Sequence, residues 1–463
     1  MKKFKIKNQR KLEFNLKDSK RKARHLMIQE GIFSKIKQTL GNNYISAFAI
    51  AIRASNQLIA FLFSITSLIG PLSQLFSSKL VEKYSRKKIV TTAILLETIL
   101  WFPLIIIAFL FYKGILTSIL PLMLLIFFSL TILLGNIGHP AWFSWIGSLV
   151  TKNHRGKWFA KRNFILDLIS LILSIFSAIL LDYFKKNDSI MIGFIILFLL
   201  AGLGRIIARE YFKKTYEPKF KLKEKNYFDF FSFIKKASKN NFGKFTIFIA
   251  LFYLAASIAS PFFTIYMLKN LGFSYVTFIA VISSQILFGI LSIKFWGKFS
   301  DKYGNYESLK ITAILIPFYP ILWLFSKSPI YLILGPSLIG GIAWAGFNLA
   351  CNNFIYDSIK AQKRSLASSY FNVLVGFGIF LGAGIGGILI KNLVINFMDP
   401  ILFIFLISSF ARTIILLIAI PHIKEIKKTQ KFDGSKIIKH LISNNLKSLE
   451  DKKNFHLFIE GNK

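Results

Sequence analysis

The sequence predicts an all-α polytopic membrane protein of 12 transmembrane helices, built as two pseudo-symmetric six-helix bundles. Three observations predict it. The chain is 54% hydrophobic, and several apolar runs reach the roughly 18 residues that cross a hydrocarbon core of about 30 Å. A charged turn occurs twice, as Lys79-x-x-Glu82-Lys83-Tyr84-Ser85-Arg86 and as Lys298-x-x-Asp301-Lys302-Tyr303-Gly304-Asn305. Two further landmarks repeat in the same order. Arg155 and Arg364 stand eight residues before Asn163 and Asn372, and Arg205 and Arg412 lie in the last apolar run of each half. Offsets of 207 to 219 residues between the copies describe a duplicated bundle. A duplicated helical bundle in a membrane is a common build for secondary transporters, with the pathway between the halves.

Residues 1–33 form a basic N-terminal tail without a signal-peptide pattern. The first span, 34–54, is interrupted by Asn42, Asn43 and Arg53. Spans at 56–78 and 88–112 flank the first charged turn, and 118–148, 160–183 and 189–211 complete an N-terminal bundle over 34–211. Residues 212–243 are a lysine- and aromatic-rich linker with a short amphipathic helix expected near Tyr227–Lys236. Spans at 244–268, 275–297, 308–326, 329–357, 366–391 and 398–422 make a C-terminal bundle over 244–423, and 424–463 is a second basic tail. Each span is read as a helix because lipid offers no partner for an unpaired backbone group.

Charge orients the bundle. Lysine and arginine crowd the two tails, the linker and every second turn. The alternate turns carry only Arg53, Lys113, Lys185, Lys186, Lys269, Lys327 and Lys391. Cytoplasmic loops are the basic ones, so both termini are expected in the cytoplasm of a multi-pass cell-membrane protein. The formal net charge of +39 sits in membrane-flanking loops, where it suits anionic lipid headgroups. No nucleic-acid-binding module accompanies it, so nucleic acid is not an expected partner. The single cysteine, Cys351, excludes an intramolecular disulfide or a cysteine metal cluster.

The charged turn resembles the signature loop of the major facilitator superfamily. In the second copy Gly297, Asp301, Lys302 and Gly304 fit that loop, with Asn305 where a base is usual. In the first copy Glu82, Lys83, Arg86 and Lys87 fit, with Ser78 and Ser85 in place of both glycines. Pro140-Ala141-Trp142-Phe143-Ser144-Trp145, followed by Arg155-Gly156 and Arg162-Asn163, is similar to a prokaryotic branch of mostly uncharacterised transporters. That branch has an acid where this chain has Ser148. The resemblance runs from residue 34 to 423 and implies fold, not substrate.

It also implies a cytoplasmic gate. An acid at a helix start meets unpaired N–H groups and positive potential. By the resemblance, Glu82 faces the start of the eleventh span near Ser365, and Asp301 the start of the fifth near Gly156. Arg155 and Arg364 add direct charge, with Lys83, Arg86 and Lys302 completing the gate. Such contacts exist only when the cytoplasmic side is closed. The glycines Gly378, Gly382 and Gly386 recur every fourth residue, a stripe for close helix packing.

The cavity in this fold is lined by the first, fourth, seventh and tenth spans. On those spans the candidate substrate contacts are Asn136, His139, Trp142, Tyr253, Ser257, Trp344, Asn348 and Asn352. Polar groups deep in a span are costly toward lipid and should face inward. Aromatics with amides suit an uncharged or amphiphilic small molecule. Candidates for proton coupling are His139, Asp167 and Glu97, with an ion pair to Arg205 as the competing role for the two acids. Asp357 is expected to pair with Lys302 or Arg364. No cofactor is called for and no catalytic signature appears, whether HExxH, nucleophile elbow or phosphate loop. The expected protein is a monomeric secondary transporter working by alternating access, with export favoured over import. The alternative is a membrane scaffold or sensor of the same fold that transports nothing.

Overall fold

The computed structural model describes residues 2–150, 155–218, 230–359, 361–426 and 429–430. Among these residues there is no strand. Helix α1 (Lys2–Ile36) runs through a π turn and a 3-10 turn into α2 (Ile45–Ala51). Then come α3 (Asn56–Lys83), α4 (Arg86–Ile99), α5 (Trp101–Tyr112), α6 (Leu120–Ile137), α7 (His139–Leu149), α8 (Arg155–Lys186) and α9 (Ile190–Lys214). The linker holds α10 (Phe230–Ala237), three residues later than the expected start, since 227–229 lie outside the described residues. The second half is α11 (Asn241–Ile265), α12 (Tyr275–Tyr303), α13 (Asn305–Leu315), α14 (Phe318–Leu322), α15 (Pro329–Leu332), α16 (Leu338–Ser358), α17 (Ala361–Asn392) and α18 (Pro400–Ala419).

Helix starts follow local chemistry. Ser55, Ser85 and Ser274 each accept a hydrogen bond from the N–H three residues on, and Asn240 does the same for Gly243. These caps satisfy donors that no helical carbonyl can reach. Ten stretches among the described residues are long and apolar enough to cross a membrane. They coincide with ten of the expected spans. The other two are interrupted. The segment expected at 34–54 is broken by the turns at Lys37–Tyr44, where Asn42 and Asn43 sit. The segment at 308–326 is split between α13 and α14 at Ile316 and Pro317, where a proline withholds its N–H.

The apolar interior divides. At the end away from the basic loops, one core joins both halves. It runs from Phe48, Trp101 and Phe198 to Phe262, Trp323 and Phe405. At the basic end two separate cores form. Met27, Ile94, Trp145 and Phe212 pack in the first half, and Phe245, Phe252, Phe347 and Phe354 in the second. Among the described residues the halves share one core at the far end and keep separate cores toward the basic end.

Close backbone approach makes the seam. A Cβ on Gly378, Gly382 or Gly386 would collide with the carbonyl oxygen of Ala250, Leu254 or Ile258 on α11. The opposite face of α17 meets the other half. A Cβ on Gly376 would lie 2.9 Å from the Ser67 carbonyl, and one on Gly387 3.1 Å from Ala60 Cβ, both on α3. Ser64 Oγ donates to the Phe380 carbonyl at 2.6 Å across the same seam. The expected stripe is a packing stripe.

Candidate functional site

The first half carries a buried charge network at its basic end. Glu97 on α4 is 1% exposed and sits 2.7 Å from Lys37 Nζ and 2.6 Å from the Arg205 guanidinium. Arg205 also donates to Ser34 Oγ at 2.9 Å, and Ser34 Oγ donates to Glu30 at 3.3 Å. Glu30, equally buried, takes Arg162 at 3.1 Å and the Trp142 indole N–H at 3.3 Å. Burial pushes the Glu30 carboxyl upward, against the opposing pull of Arg162 and Trp142. Buried charges survive only when paired and hydrogen-bonded, and this network meets that condition. Two glycines make room for it. A Cβ on Gly135 would lie 2.7 Å from a Glu97 oxygen, and one on Gly31 2.7 Å from Arg162 Nη2.

A cavity of about 180 Å³ lies among these groups, lined by Glu30, Ser34, His139, Trp142, Arg162 and Arg205. It opens beside the break between α6 and α7 at Gly138. The His139 ring lies tilted against Trp142 with ring centroids 5.5 Å apart and makes no hydrogen bond among the described residues. Asn136, one turn away, accepts from Gln74 at 3.1 Å and so ties α6 to α3. Asp167 stands apart. Its side chain is 61% exposed and pairs with Lys35 at 3.2 Å.

In the second half, Tyr253 donates to Asn348 at 2.9 Å and its ring lies 5.5 Å from Trp344. Asn348 and Asn352 are exposed, and Ser257 is buried one turn from Tyr253. The structure thus joins Asn136, His139 and Trp142 within one half and Tyr253, Trp344 and Asn348 within the other. No hydrogen bond or ring contact links the two sets among the described residues.

The gate residues divide in the same way. Asp301, Lys302 and Lys83 are exposed. The side chains of Glu82, Arg155 and Arg364 lie outside the described residues. Arg86 is 1% exposed and serves its own half. It donates to Glu217 at 3.2 Å, to the Pro218 carbonyl at 2.7 Å and to Ser148 Oγ at 3.2 Å. Glu217 also caps α4 by accepting from the N–H of Arg86 at 2.9 Å. The matching corner of the second half uses Glu425, which accepts from the Tyr306 N–H at 2.7 Å. There Asp357 accepts from Asn305 Nδ2 at 2.6 Å; the side chain of Arg364, one of its two expected partners, lies outside the described residues. Glu217 and Glu425 stand 208 residues apart, inside the range of the repeat offsets. That spacing is the signal by which the sequence could have revealed them.

The family model of the Major Facilitator Superfamily matches residues 31–316 and 245–451. Among solved structures, the nucleoside transporter NupG is 15% identical with a TM-score of 0.64, covering 86% of this chain and 98% of its own. A bacterial homologue of the iron transporter ferroportin in the inward-facing state is 13% identical with a TM-score of 0.63, at coverages of 86% and 98%. A POT family transporter in complex with a thioalcohol-conjugated peptide is 13% identical with a TM-score of 0.61, at coverages of 87% and 95%. These structures share the fold. A search of curated proteins gives no match.

Proposed function

Because the chain belongs to the Major Facilitator Superfamily, we propose that it is a secondary transporter moving a small uncharged or amphiphilic molecule by alternating access. The observation that carries this reading is the divided core. One apolar core seals the halves at the far end, while two separate cores leave the basic end parted. A pathway open at one end and shut at the other is the geometry that alternating access requires. With the basic loops in the cytoplasm, this conformation faces the cytoplasm of a cell-membrane protein with both termini inside. It can load cargo for export, the direction we favour.

Tyr253, Trp344 and Asn348 supply an aromatic wall and an amide from one half, and Asn136, His139 and Trp142 supply the same chemistry from the other. Ser257 and Asn352 flank the second set. Of the proton-coupling candidates, His139 fits best because its ring lines the cavity without a hydrogen-bonded partner. Glu97 is already paired with Lys37 and Arg205, and Asp167 faces outward with Lys35. The test is thermal stabilisation of the purified protein across a panel of small molecules. Asn348→Leu is expected to abolish the stabilisation by any hit while unfolding within about 1 kcal/mol of the parent. A hit that stabilises the variant equally places the site elsewhere. A panel without hits, joined to absence of uptake or efflux in vesicles, favours the scaffold reading.

A further inference from the structure

The seam at the far end contains a contact that the fold alone does not demand. Asp182, near the end of α8 in the first half, reaches the start of α12 in the second. One carboxylate oxygen accepts from the Tyr275 N–H at 2.7 Å and the other from the Val276 N–H at 2.9 Å. Ser274 accepts from the Thr277 N–H at 3.1 Å. The first four N–H groups of a helix lack intrahelical partners. Here three are satisfied, two of them by the opposite half. The negative charge also lies on the positive end of a 29-residue helix. Side chains reinforce the joint, since the Tyr275 ring packs 6.2 Å from Phe194 and 5.7 Å from Lys185 Nζ, both in the first half.

The mirror seam is built differently. Ser55 precedes Ser274 by 219 residues and caps α3 as Ser274 caps α12. The position 209 residues after Asp182 is Lys391, an exposed base at the end of α17. There the halves meet through Gly376 and Gly387 and the Ser64 hydrogen bond, with no carboxylate on the start of α3 among the described residues. The acid-on-helix joint is thus confined to the α8–α12 seam. A cleft of about 670 Å³ lined by Asp182, Tyr183, Lys186, Ser274 and Val276 opens beside it. Water can replace the carboxylate when the joint parts, which makes it reversible.

We propose that Asp182 is a far-end gate residue of the transport cycle. Its carboxylate closes the α8–α12 seam in this conformation and must release the start of α12 for that end to open. The inference rests on the alternating-access reading, but its test needs no substrate. The full chain with Cys351→Ala carries spin labels at Ile115→Cys and Val394→Cys, two exposed far-end positions in opposite halves. It is reconstituted in nanodiscs of phosphatidylethanolamine and phosphatidylglycerol, and the label-to-label distances are measured by pulsed electron resonance. Asp182→Asn keeps the shape and removes the charge. It is expected to raise the ratio of long to short distances roughly tenfold, the scale of losing charge-assisted hydrogen bonds. Asp182→Glu should recover much of the parent distribution, and Asp188→Asn, which alters another far-end acid of the same half, should leave it unchanged. Superimposed distributions for the parent and Asp182→Asn overturn the proposal, as does an equal shift in Asp188→Asn. Failure of the transporter reading is registered separately, by the compound panel and the vesicle assay.

Discussion

Arg205 and Arg412 stand at the same place in the two halves, 207 residues apart, yet they are held by different chemistry. Arg205 is bonded to Glu97 and Ser34 within a charged network. Arg412 is 1% exposed and donates to two backbone carbonyls, Ile316 at 3.3 Å and Ala256 at 3.1 Å. Its Nε has no partner among the described residues, and no carboxylate there pairs with it. The cation stands in both halves, and in the first half an acid compensates it beside a cavity. In the second half the same residue works as a strut, pinning α18 to α11 and to the turn after α13. Around this arginine, then, ion pairing does the holding in the first half and backbone hydrogen bonding in the second.

Breaking the two sites separately should give the largest effect. Glu97→Leu strands Lys37 and Arg205 in a buried site and is expected to cost about 3–5 kcal/mol. Arg412→Met removes a charge that has no carboxylate partner among the described residues, and takes one donor each from the Ile316 and Ala256 carbonyls, which the Tyr319 N–H and Ser260 Oγ still reach. The opposing terms should leave it within about 1–2 kcal/mol of the parent. Thermal unfolding in one detergent compares the pair directly. Equal losses would show that Arg412 has a counterion in the folded protein and would erase the contrast.

A second contrast lies at the charged corners. The first half has a base, Arg86, facing Ser148, whereas the second has an acid, Asp357, facing Asn305. On the Ser148 side the resembling branch has an acid. Arg86 finds its charge partner in Glu217 instead. Ser148→Asp would place a carboxylate beside a guanidinium nitrogen that already lies 3.2 Å from the serine oxygen. The expected gain is about 1 kcal/mol, seen as a raised melting temperature, and it should grow in a Glu217→Gln background, where the new acid substitutes for the lost one. A loss of stability would mean that Glu217 alone already saturates Arg86.

The residues that the sequence made legible are those whose signal is local or periodic. Apolar length marked ten spans, and the four-residue recurrence of Gly378, Gly382 and Gly386 marked a seam. The Tyr253–Asn348 pair lies on spans expected to line one cavity, so polarity within an apolar run sufficed to find both. The network around Glu30 was illegible for a physical reason. It sits on α1 before residue 34, in a stretch whose lysines and glutamines read as tail, while Ala23 and Met27 bury that helix against the first bundle. Glu30 and Lys37 stand seven residues apart on α1 and the π turn that continues it, but no spacing marks Arg162 as their neighbour, because α8 brings it from another part of the chain. Arg86 also has partners that no local pattern shows. Its motif points to a gate between halves, but its partners Glu217 and Pro218 follow the last helix of its own half, and no short-range pattern connects them.

The smallest expected effect concerns Asp301, and it separates stability from the conformational cycle. Asp301 is exposed at the basic end, where the halves are parted, so removing its charge takes nothing from this conformation. Asp301→Asn is expected to change thermal stability by less than about 0.5 kcal/mol. Its role as a gate acid requires the other conformation, in which the basic end closes and the acid meets the start of α8. Cysteines at Tyr84 and Tyr356, exposed in opposite halves near that end, report closure by crosslinking on a Cys351→Ala background. Asp301→Asn should lower the crosslinked fraction while leaving the unfolding temperature unchanged. An acid that only solvates a turn would leave both unmoved. A fall in both together would instead assign Asp301 to the folded core of its own half, which its exposure argues against.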